Sequence, residues 1–180
     1  MTASDNETGR GLAAQGGFGV LPPGVFESLS GLEVLRRIVS GEFPAPPISR
    51  TLSFAMTEVA EGRAVFRGTP KAEHLNPAGT VHGGWTATIM DSALACAVQT
   101  MLKKGEAFTT TEFKVNLIRP VTPETGEVTC EARVVARGRT TGVSECRVTD
   151  ARGRTLAFGT ETCAIFPAGG NRAGNSPASD

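Results

Sequence analysis

Residues 76–102 read NPAGTVHGGWTATIMDSALACAVQTML: a loop bearing Pro and Gly, the triplet His82-Gly83-Gly84, and then a long apolar run. From Gly84 to Leu102 the only charged side chain is Asp91, whereas the segments on either side carry Glu, Lys and Arg freely. Placed at helical intervals of about 100°, Gly84, Thr88, Asp91, Ser92, Ala95 and Gln99 fall in one narrow stripe, and apolar residues cover the remainder. The pattern predicts a helix buried around most of its circumference, with one polar seam and a single acid within it.

The flanking segments alternate with period two. Thr51–Val59 and Arg63–Thr69, joined at Glu61-Gly62, predict a hairpin, and Phe108–Ile118, Glu127–Ala136, Thr141–Asp150 and Thr155–Phe166 predict four further strands. Short connections favour antiparallel pairing of sequential strands. Ser30 followed by Glu33 is a capping-box pair, Leu32, Leu35 and Val39 share a face, and Gly41 stops the run, so a helix is expected over 30–40. Pro44, Pro46 and Pro47 then predict an extended connector. A helix apolar nearly all round must be covered nearly all round, which a strongly curved sheet achieves. The expected class is α+β, with a curved antiparallel sheet of five to six strands wrapped around one long central helix. Residues 1–25 and 167–180, rich in Gly, Ala and polar residues without periodicity, are expected to be disordered tails flanking one domain over 26–166.

Bulk composition narrows the partners. The 180 residues hold 18 basic and 18 acidic side chains, so there is no broad positive field for nucleic acid or an anionic membrane surface. The four cysteines form no CxxC pair and read as small buried hydrophobes in a reducing compartment. The run 84–102 has nearly membrane-spanning length, but Thr, Ser and Gln dilute it and a central Asp costs about 2.5–3.5 kcal/mol on insertion. MTASDNETGRGLAAQGG lacks a basic start followed by an apolar core, so a cytoplasmic location is expected. His74 and His82 have no Cys or acid at ligand spacing, and neither a metal nor a cofactor is expected.

The candidate chemistry lies at the start and the middle of the polar seam. Gly83 and Gly84 open the helix, where backbone N–H groups lack partners and the macrodipole places about half a positive charge, a setting suited to an oxyanion. Paired glycines also serve as an ordinary turn, and a polar seam can simply meet water or a second subunit. The Asn76 amide could donate to a carbonyl oxygen, or only shape its loop. Gly83 and Asp91 are eight residues apart, about 12 Å along a helix rising about 1.5 Å per residue, too far to act on one carbonyl carbon. Two copies paired about a twofold axis would bring Asp91 of one to Gly83 of the other.

These residues resemble the hotdog-fold acyl-CoA thioesterases of the phenylacetate-degradation (PaaI-like) type. The resemblance rests on Asn76-Pro77-Ala78-Gly79-Thr80-Val81-His82-Gly83-Gly84 followed by Asp91, and on Thr109-Thr110-Thr111 leading to Phe113–Pro120. It covers roughly 48–166 and implies a hotdog fold, a homodimer or homotetramer, and metal-free hydrolysis of an acyl-CoA thioester. It also implies that the Gly83 N–H binds the thioester oxygen, that Asn76 and His82 shape that pocket, and that Asp91 of the other subunit acts as general base or nucleophile. Aligning back from Pro120 selects Thr110 as the hydroxyl that positions water, with Thr109 and Thr111 as alternatives. Arg137, Gly138 and Arg139 form a basic turn suited to CoA phosphates, or equally a solvated one. The same pocket on a non-catalytic acyl-CoA sensor or scaffold, or on a hotdog dehydratase, is the alternative.

Overall fold

In the computed structural model, which describes residues 16–169, the elements follow as α1 (Val25–Ser28), α2 (Gly31–Ser40), α3 (Pro47–Thr51), β1 (Phe54–Ala60), β2 (Arg63–Gly68), α4 (Gly83–Gln99), β3 (Glu106–Leu117), β4 (Val128–Arg137), β5 (Thr141–Asp150) and β6 (Thr155–Pro167). The tail segments 1–15 and 170–180 lie outside the described residues. One six-stranded antiparallel sheet, ordered β1-β2-β4-β5-β6-β3, wraps α4, and the fold is the α+β hotdog.

Side-chain size explains why the sheet closes on the helix. Its helix-facing rows are built largely from small residues: Ala64 and Gly68 on β2, Cys130 and Ala132 on β4, Gly142, Ser144 and Cys146 on β5, and Ala157, Gly159 and Cys163 on β6. A Cβ at Gly142 would lie 2.5 Å from Val98, and one at Gly159 would lie 2.6 Å from the Met90 methyl and 2.4 Å from the Lys114 carbonyl. The bulk comes from the helix instead. Ile89, Met90, Leu94 and Val98 are fully buried, each worth about 1.5–3 kcal/mol of transfer free energy.

Three expectations need correction. Pro47 is not part of an extended connector but the first residue of α3, where its fixed φ suits helix initiation and its missing N–H costs nothing. The hairpin therefore begins at Phe54 rather than Thr51, after a corner in which Ser53 holds φ 53. Second, sequential strands are not all neighbours: β3 lies at the sheet edge beside β6, so β4 pairs with β2 and β5. Third, Gly17–Gly19, expected in an aperiodic tail, are tied to the proline segment: Gly19 N–H donates to the Ala45 carbonyl and Ala45 N–H to the Gly17 carbonyl.

The expected first helix is α2, capped reciprocally by Ser30 and Glu33 and ended by Gly41 at φ 79. It docks on the far end of α4, where the Gly31 N–H donates to the Leu102 carbonyl. A Cβ on Gly31 would sit 1.8 Å from the Gln99 carbonyl oxygen. The polar seam thus ends under α2, and Gln99 is buried rather than presented.

Candidate active site

Asn76 is spent on its own loop. Its Oδ1 accepts from the N–H groups of Ala78 (2.9 Å) and Thr80 (3.3 Å), while Nδ2 donates to Thr80 Oγ1 (2.8 Å). That leaves the second amide hydrogen for a ligand. Gly79, at φ 80, makes the reversal that returns the chain to Val81. His82 follows as the N-cap of α4: its Nδ1 accepts from the Gly84 N–H at 2.9 Å, so in the neutral ring the proton sits on Nε2. Capping consumes the Gly84 donor. The Gly83 N–H, at the first helical position, has no partner among the described residues and is the donor left at the positive end of α4.

The rest of the seam is quiet except at Asp91. Thr88 donates to the Gly84 carbonyl and Ser92 to the Thr88 carbonyl, so both hydroxyls are satisfied within the helix. Asp91 is half-buried without a hydrogen-bond partner among the described residues, and desolvation raises its pKa above the usual carboxylate value. Trp85 and Met90, which flank the motif, are plain core.

The strand register places the three threonines differently. Thr109 is exposed and Thr111 sits in a β-bulge, donating to the Thr162 carbonyl at 2.9 Å. Thr110 faces the helix side with its cross-strand partner Cys163, and donates to Glu161 Oε1 at 2.9 Å. Bulges of this kind re-aim side chains beside functional sites.

Glu161 is a residue that sequence reasoning missed. It is fully buried in the inward row Ala157-Gly159-Glu161-Cys163-Ile165, and burial, with Asp91 and Glu112 adding to it, raises its pKa to about 7. The signal was one acid in an otherwise small and apolar row. His74, which the sequence offers no ligand spacing, is a buried pin. Its ring stacks on Trp85, Nδ1 accepts from the Lys71 N–H, and Nε2 faces the Thr51 carbonyl at 3.3 Å.

The basic turn divides. Arg137 is paired with Glu106, the Gly138 N–H closes the turn on the Thr141 carbonyl, and Arg139 is exposed. Because Gly142 packs on Val98, this turn lies about seven helical residues, roughly 10 Å, beyond Asp91 and about 22 Å from Gly83. A groove of about 1400 Å³ opens on the same side, between the N-terminal segment and Met56, Phe66, Cys96, Gln99 and Phe108. Cys96, on the groove wall, feels the charges of both Glu161 and Asp91, and burial above all pushes its thiol up to about 12. Among the described residues no helix is long and apolar enough to cross a membrane.

A six-stranded curved sheet around one long central helix defines the class, a hotdog-fold protein. Residues 78–157 match the family described as the thioesterase superfamily. A Caenorhabditis elegans protein named as an esterase, F42H10.6, is 32% identical over 148 residues, covering 79% of this chain and 77% of that one. Human acyl-coenzyme A thioesterase 13 is 27% identical over 135 residues, covering 71% and 91%. A solved mutant structure of the phenylacetic acid degradation protein PaaI from Thermus thermophilus superposes with a TM-score of 0.60 at 29% identity, covering 66% of this chain and 97% of that one. The chain belongs to the thioesterase superfamily and is a thioester hydrolase.

Proposed function

We propose that the protein hydrolyses acyl-CoA thioesters at composite sites, each formed by Gly83 of one subunit and Asp91 of another. The observation that carries this reading is the pairing of one unspent N–H at the start of α4 with one unpartnered acid about 12 Å along the same helix. Neither end is a hydrolytic site alone. The exposed edge supports assembly: among the described residues β3 pairs only with β6, and Phe113, Leu117 and Ile118 remain 41%, 56% and 52% exposed. Phe113 and Leu117 share the inward register of Glu161 and Ala157, so this apolar surface borders the seam that a second helix would cover.

In the reaction, the thioester oxygen accepts from the Gly83 N–H, with the second Asn76 amide hydrogen and the His82 Nε2–H beside it. Water held by Asp91 and Thr110 attacks the carbonyl carbon as Asp91 takes its proton. The C–S bond then breaks, and the proton passes from Asp91 to the departing thiolate, giving free acid and CoA thiol. The raised pKa of Asp91 makes it the stronger base. The acyl group enters the groove past Cys96 and Phe108, and Arg139 with the Gly138 turn receives CoA phosphate.

Gly83→Pro removes the donor and needs only the exposed end of Leu117 to move, since a Cβ here would lie 2.8 Å from Leu117 Cδ1. Proline suits the first helical position, and His82 at φ −58, ψ 132 already has the backbone a following proline requires. The expected result is a kcat loss of about 10²–10³-fold in thiol-release assays with the helix intact. Wild-type turnover retained in a folded Gly83→Pro protein would remove the oxyanion assignment.

A further inference from the structure

Glu161 has a place in the site that burial alone does not account for. Its cross-strand neighbour on β5 is Ser144, which donates to the Leu94 carbonyl at 3.0 Å, and the preceding inward residue, Gly159, lies under Met90. The carboxyl therefore sits beneath the turn of α4 that carries Asp91. Oε1 accepts from both Thr110 Oγ1 (2.9 Å) and Cys163 Sγ (3.0 Å), whereas Oε2 is buried with no partner among the described residues. An orphaned, buried carboxyl oxygen is costly unless it carries a proton or receives one.

We propose that Glu161 is a positioning residue of the hydrolytic site: it holds the Thr110 hydroxyl as a donor through Oε1 and keeps its own proton while Asp91 is ionised. This rests on the thioesterase reading of Asp91. A threonine hydroxyl has one hydrogen, and giving it to Glu161 leaves only lone pairs facing the site. The attacking water must then donate to Thr110 and to Asp91, which aims its own lone pair at the carbonyl carbon. The groups facing Glu161 are Asp91 and Cys96 from α4, Thr110 and Glu112 from β3, Cys163 from β6 and Ser144 from β5. No cation is among them, so two ionised carboxylates would repel in a desolvated setting, and one proton stays on Glu161 while Asp91 is charged.

The test uses the full chain with Glu161→Gln and Glu161→Leu, following kcat and KM for an acyl-CoA from about pH 5.5 to about 9. Wild-type kcat should fall as pH rises through about 7, when Glu161 loses its proton and its charge opposes the developing oxyanion. Glutamine keeps an acceptor for Thr110 and cannot ionise, so Glu161→Gln should lose that basic limb, with kcat lowered about threefold. Leucine fits the apolar row but offers neither group, and kcat should drop about tenfold or more at unchanged KM. A Glu161→Leu protein within about twofold of wild-type kcat, or a basic limb persisting in Glu161→Gln, overturns the proposal. Infrared difference spectra supply a readout independent of turnover: a protonated-carboxyl band near pH 6 that vanishes in Glu161→Gln and shifts in Asp91→Asn supports the pair, and its absence overturns it. Should wild type hydrolyse no thioester at all, the reading of function falls, while the band still decides the pair.

Discussion

Glu161→Gln should also change how stability depends on pH. In the unfolded chain this carboxyl titrates near its ordinary value of 4.5, and in the folded protein near 7. Between those values the folded state binds more protons than the unfolded one, so stability falls as pH rises. The contribution is fully present below about 4.5 and is lost as pH passes through about 7. About 2.5 units at 1.36 kcal/mol each gives about 3 kcal/mol, or about 6–12 °C in Tm for a domain of this size. Glutamine carries no titrating proton. The difference in unfolding free energy, variant minus wild type, should therefore climb from about pH 5 to about 7 and then level off. Urea titrations at fixed protein concentration across that range measure it directly, because the carboxylates held low by arginine or backbone partners, such as Glu131 and Asp150, are common to both proteins and cancel. A difference that stays constant with pH would refute the claim that Glu161 is protonated in the fold.

Other consequences are equally open to measurement. Asp91→Asn should lower kcat by at least about 10²-fold without loss of folding, seen by thiol release. A mixed dimer of Gly83→Pro and Asp91→Asn chains should regain about half of wild-type activity, since one of its two sites then joins both intact residues; a mixed dimer no better than its parents would exclude shared sites. Arg139→Ala should raise KM for CoA esters but not for a short thioester lacking the nucleotide, and equal effects on both would remove the phosphate contact. Gly31→Ala should destabilise by about 1–3 kcal/mol in denaturant titrations, because the added methyl meets the Gln99 carbonyl.

How legible the molecule was depended on the range of the interaction. Asp91 stood out because a charge within 17 apolar-rich helical residues violates a local pattern, and Thr141–Asp150 was bounded correctly because strong alternation ran between two turns. The edge position of β3 was not readable, since its pairing with β6 joins residues some fifty positions apart and nothing local encodes that choice. Glu161 was hidden for a related reason. Thr160 and Thr162 make the outer row of β6 polar as well, so which parity faces the helix emerges only once the sheet is assembled. His74 looked like an isolated loop histidine because its partners, Trp85 and the Thr51 carbonyl, approach from different segments.

The strand order also sets a timetable for synthesis. The β1–β2 hairpin and α4 leave the ribosome early, but β3 has a single partner, and that partner is the last of the described strands to be made. Until β6 emerges, β3 is unpaired on both sides and α4 lacks part of its cover, so the nascent chain presents its most apolar helix from the completion of α4 to the completion of β6. Closure comes when β6 is complete rather than domain half by domain half, so the sheet's longest-range pairing is also its last.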